Sequence, residues 1–177
     1  MRIEDILESL NFTSPIEWKG DVGYFTINDQ EFVVRVRPAN RDEEQTFVPF
    51  FDTLPKVGNV DFSAVLPDGK ITRDLTGLSG NSVMKVFSVV AQGVEEQIDK
   101  HGYEILLCVA KSTASPTNFN KRVQAYETIT DRAARKSGMH QIILSSTKDT
   151  TLFVVYHPKY VDNMIQIKNH LSQHYKD

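Results

Sequence analysis

A chain of 177 residues, 40% of them hydrophobic, can enclose one full core and is too short for two comfortable ones. Charged residues make up 24% and the net charge is −3, so no global field draws the protein to nucleic acid or to an anionic membrane. Neither partner is expected, and no apolar run approaches the length of a membrane span.

In chain order, the first ten residues carry acids where a signal peptide carries bases, which leads to the expectation of a cytoplasmic protein. Ile3, Ile6, Leu7 and Leu10 recur at helical spacing and read as a short amphipathic helix docked on the body. After Ser14-Pro15 the pattern becomes alternation. Tyr24 to Ile27 and Glu31 to Arg37 read as a hairpin around Asn28-Asp29-Gln30, with Phe32, Val34 and Val36 on the buried face. Residues 38 to 57 show no clean period and read as a surface excursion with a helical turn, anchored by Phe47, Phe50 and Phe51. A second hairpin joins residues 60–66 to 70–75 through Pro67-Asp68-Gly69.

Two long helices follow. The first runs from about Asn81 to Lys100, with Val83, Phe87, Val90, Val94 and Ile98 on one stripe and Gly102 as its stop. Tyr103 to Ala110 is apolar along most of its length, as in a strand covered on both faces at the centre of a sheet. Within it, Cys108, the only cysteine, reads as a buried and inert thiol. The second helix opens at Ser115-Pro116, a cap and a first-turn proline, and ends at Ser137-Gly138 after Arg132, Arg135 and Lys136. Met139 to Ser146 and Thr151 to Tyr156 form a third hairpin, and Val161, Met164, Ile165 and Leu171 suit a closing helix. The expected fold is a single α/β (α+β) domain over residues 1–177: a mixed, mostly antiparallel sheet flanked by helices. Its core is residues 60–157, with an N-terminal helix and hairpin over 1–37 and a C-terminal helix over 160–175.

Between Asp61 and Val155 the chain twice spells strand, small-residue turn, long helix, strand. A small-residue turn that opens a helix leaves backbone N–H groups free for an anion. Gly77, Ser79, Gly80 and Asn81 stand at the first such turn, and a capped corner requires the same residue types. Tyr126 shares a stripe with Phe119, Val123, Ile129 and Ala133, which favours core packing over a general-acid role. Arg122, one turn earlier, is an anion clamp or a solvated face residue. His170 and His174 have metal-ligand spacing but no third ligand beside them, so they read as a solvated helix end and no metal is expected.

This order of elements, with Asn118 followed by Arg122-Val123-Gln124-Ala125-Tyr126, resembles the Gcn5-related N-acetyltransferase (GNAT) superfamily. The pair Thr76-Gly77 and Val86-Phe87, taken with Arg122-Val123 and Tyr126, is also similar to small tailed-phage proteins of GNAT-like build. The resemblance covers residues 60 to 157. It implies that the last strand inserts beside Tyr103–Ala110. It also implies that Gly77, Ser79, Gly80, Asn81, Asn118 and Arg122 hold acetyl-CoA or another acyl-CoA, and that Tyr126 protonates the departing thiolate. Asp74 or Asp61 would then serve as base for an amine acceptor. The family's turn reads Gln/Arg-x-x-Gly-x-Gly/Ala; here Asp74 replaces the base or amide, and the second glycine is shifted by one. Two functions follow: a GNAT-like, phage-type accessory protein that binds a host or virion protein in the host cytoplasm, or an acyl-CoA-dependent N-acyltransferase. The departures favour the first. The sequence does not fix the oligomeric state.

Overall fold

The computed structural model describes residues 11–72, 80–111 and 116–174, so the expected N-terminal helix lies outside the described residues. Eight strands form one mixed sheet: β1 (Glu17–Lys19), β2 (Val22–Ile27), β3 (Gln30–Pro38), β4 (Val57–Val65), β5 (Ile71–Thr72), β6 (Ile105–Lys111), β7 (His140–Ser146) and β8 (Thr150–Tyr156). They lie in the order β1-β2-β3-β4-β6-β8-β7, with β5 paired to the far end of β4. The β4–β6 pairing is parallel and the others are antiparallel, and β8 inserts beside β6 as expected of the last strand.

Asn28 and Asp29 both adopt positive φ, at 50° and 65°, the backbone of a two-residue hairpin turn whose twist matches its strands. Gln30 therefore belongs to β3, pairing with Ile27, and the turn is one residue tighter than the sequence suggests. Beyond β3 the excursion contains helix α1 (Arg41–Glu44), opened by a capping box in which the Asn40 side chain accepts from the Glu43 N–H while the Glu43 carboxylate accepts from the Asn40 N–H. A single 3-10 turn follows at Val48–Phe50.

The two long helices, α2 (Gly80–His101) and α3 (Pro116–Lys136), pack against each other on the same face of the sheet. Their shared core gathers Phe25, Phe32, Val34, Val36, Phe62, Val90, Val94, Ile129 and Phe153. Gly93 lets α2 approach the sheet, since a Cβ there would lie 3.1 Å from Val34 and 3.2 Å from Ile16. The polar side of α2 is not left to water: Gln92 exchanges hydrogen bonds with the Ser14 backbone, and Ser88 donates to the Phe12 carbonyl.

Among the described residues, the opposite face is covered mainly over β6, β8 and β7, with Val57 of β4 at the margin and α1 reaching Arg37 and Asn59. There α4 (Val161–His174) and the 47–51 segment enclose a second core of Phe47, Ile105, Leu107, Leu144, Val154, Met164 and Ile167. Phe47 is fully buried, and Phe50 and Phe51 pack at the margin, so the phenylalanines do anchor the excursion. The buried stripe of α4 differs from the expected one. Val161 and Ile165 are exposed and Ile167 is buried in their place, because the helix turns Met164 and Ile167 onto the second core. No helix of the described residues is long and apolar enough to cross a membrane.

Candidate functional site

The parallel ladder between β4 and β6 is short. It pairs Val57, Gly58 and Asn59 with Ile105, Leu106 and Leu107, and then the two strands run on, to Val65 and Lys111, without pairing to one another. On their other edges both remain laddered, β4 to β3 as far as Ala64 and β6 to β8 as far as Lys111. Among the described residues, β5 returns to β4 at Ala64 and Val65. Among the described residues, β4 and β6 therefore diverge in a V-shaped seam, with main-chain N–H and C=O groups along its lips.

Helix α3 spans this seam from the side of the two long helices. Arg122 Nη1 donates to the Lys111 carbonyl at 2.8 Å, tying the helix to the end of β6. One turn later, Tyr126 sets its ring edge-on to Phe62 of β4, with centroids 5.0 Å apart at 63°. Tyr126 is 2% exposed, and Phe62 in turn meets Phe87 of α2 at 6.3 Å. The two residues singled out on this helix thus reach opposite lips of one opening. At its closed end lies a void of about 10 Å³, lined by Val60, Leu106, Cys108, Ile129, Ala133 and Val155, room for about one water. Cys108 is buried there, as expected of a structural thiol.

On the other face β4 presents Asn59, Asp61 and Ser63. Asp61 is held by Arg35 Nη2 at 2.8 Å, so one of the two carboxylates considered as a base is already committed to an ion pair. Glu43 joins three elements: Arg37 grips it with two nitrogens at 2.7 and 3.2 Å, and the Asn59 amide also donates to it. Burial pushes the Glu43 carboxyl up, but the hydrogen bonds from Arg37, Asn40 and Asn59 outweigh it and hold the group below the usual glutamate range.

Of the other residues read as a site, Gly80 opens α2 and Asn81 follows it, while Asn118 lies in the first turns of α3; the side chains of Asn81 and Asn118 lie outside the described residues. Asp74, Gly77 and Ser79 also lie outside them. His170 stands edge-on to Phe50, 5.5 Å between ring centres, and the His174 side chain is not among the described residues. Sequence reasoning missed the ion pair of Arg35 with Asp61. The alternation of β3 and β4 places both charges outward, but their pairing depends on a register between distant segments. No protein-family model matches the chain, and no curated protein matches its sequence.

Proposed function

We propose that this is a GNAT-like protein whose seam between β4 and β6 receives the pantetheine arm of an acyl-coenzyme A, with the pyrophosphate over the start of α2. The observation that carries this reading is the early end of the parallel ladder. A narrow, extended ligand with amide groups bonds to the lips of such an opening much as a further strand does. The insertion of β8 beside β6 supports the same reading, because it is the order the GNAT resemblance implies. The first backbone N–H groups of α2, from Gly80 onward, suit an anion. In this reading the activity is acyl transfer to an amine, with Tyr126 giving a proton to the departing thiolate once a ligand has parted the lips. The Asp61 carboxylate is already engaged by Arg35, so that role falls to Asp74.

A second reading is a phage-type accessory protein that binds a host or virion protein without transfer chemistry. Two observations favour it: Tyr126 is sealed against Phe62, and among the described residues the β1–β3 part of the sheet carries no helix on its outer face apart from α1 at Arg37. There Tyr24, Val33 and Arg35 lie in adjoining cross-strand rows.

The test is the melting temperature with and without acetyl-CoA, for the wild type and for Gly80→Asp. A ligand at a hundred times its dissociation constant stabilises the native state by about 2.7 kcal/mol. The coenzyme reading expects that shift in the wild type and its loss in Gly80→Asp, where a carboxylate meets the pyrophosphate. It fails if the wild type shows no shift, or if both proteins shift equally.

A further inference from the structure

The outer side of α3 and strand β7 border a cleft of about 810 Å³, lined in part by Glu127, Asp131, Arg132, Arg135, Lys136 and Gln141. Space on this scale suits a small organic molecule rather than a lone ion. It lies on the side of α3 away from the seam, because Tyr126, Ile129 and Ala133 turn the opposite stripe to the sheet. Most of the polar groups in the lining have an evident partner or ready access to water. Arg135 pairs with Asp131 at 3.0 Å, and the Gln141 amide nitrogen donates to Thr130 Oγ1 at 2.9 Å.

Arg132 is the exception. Its Nη1 is sealed from solvent and has no hydrogen-bond acceptor. Burial holds this guanidinium below its usual range, and no carboxylate offsets the loss. Buried polar atoms are nearly always partnered, and an unpartnered charged one costs stability, so its presence calls for a reason outside the folding of the chain. A second buried donor, Ser137 Oγ, lacks a partner just beyond the end of the same helix.

We propose that this cleft binds a small organic carboxylate, with Arg132 as the cation that holds it. A guanidinium fork matches the two oxygens of a carboxylate, and a turn about its last torsions presents two N–H groups to the cleft. Glu127 and Asp131 limit the negative charge the cleft accepts, which selects a singly charged acid over a doubly charged phosphate. The Glu127 carboxylate and the Gln141 amide oxygen accept hydrogen bonds from donors elsewhere on the ligand.

The experiment follows the Arg132 Nε–H resonance of the full chain by NMR during titration with sodium glutamate, sodium phosphate and sodium chloride at matched ionic strength. A saturable shift with glutamate is expected, with a weaker response to phosphate and none to chloride. Arg132→Met should weaken glutamate binding by about tenfold or more. It should leave the melting temperature without ligand unchanged or higher, because it removes a sealed guanidinium nitrogen that has no acceptor. Gly80→Asp should bind glutamate as the wild type does. The proposal is overturned if glutamate gives no saturable shift, if phosphate binds as well or better, or if Arg132→Met retains the affinity. A marked loss of stability in Arg132→Met without ligand would also overturn it, since that outcome assigns Arg132 to the fold.

Discussion

Glu43 shows how one side chain can hold several segments together. Its carboxylate caps α1, grips Arg37 of β3 and accepts from Asn59 of β4, and the net effect is a carboxyl held below its ordinary range. A group whose folded-state pKa is depressed contributes its stability in full above the unfolded value, about 4.3 for glutamate, and loses it as pH falls through the folded value. Glu43→Gln is therefore expected to lower the unfolding free energy at pH 7 by about 1–3 kcal/mol. The gap to wild type should narrow below about pH 4, in urea titrations at pH 7, 5 and 3. A gap that stays constant with pH would mean the charge is not what matters. Cys108, 2% exposed beneath α3, should react with a thiol reagent only at the rate of unfolding, and fast labelling of the native protein would contradict its burial.

Strand β4 is the element on which the architecture turns, and Gly58 sets how close β6 can come. A Cβ at Gly58 would lie 2.7 Å from Leu106 Cδ2 and 2.8 Å from Tyr103 Cε1, both on buried side chains that cannot swing aside. Gly58→Ala should lower stability by about 1–3 kcal/mol by overpacking the three-residue ladder, and an unchanged melting temperature would refute that close approach. Elements bounded by strong local chemistry were legible in the sequence. Pro116 opens α3, and Gly102 and Gly138 sit at positive φ, 70° and 66°, just past the ends of α2 and α3. The capping box of α1 was also spelled out by the spacing of Asn40 and Glu43, though the sequence suggested only a helical turn. Strand β1 was missed because three residues, Glu17–Lys19, are too few to show a period, and its one inward residue, Trp18, is placed by pairing with Gly23. The phase of α4 was misread at Val161 and Ile165 for a different reason. Which side of a helix is buried depends on what lies beneath it, and Phe47, far away in the chain, decides that here.

At the scale of the whole molecule, the mixed sheet and its central apolar strand follow from patterns within each segment, whereas the seam does not. Where the β4–β6 ladder stops is set by how the two strands diverge as each follows its other neighbour, β3 or β8. Neither Val57–Val65 nor Ile105–Lys111 carries that information alone. The same is true of the candidate site: Arg122 and Tyr126 were visible as a pair one helical turn apart, but their contacts with opposite lips emerge only from the assembled fold. The most direct test of ligand binding in the seam is amide hydrogen exchange at Val60–Ser63 and Val109–Lys111, with and without acetyl-CoA. Slower exchange is expected on both lips when the ligand is present, together with protection at the start of α2. Unchanged exchange on both lips at saturating acetyl-CoA, or protection confined to another part of the surface, would contradict it.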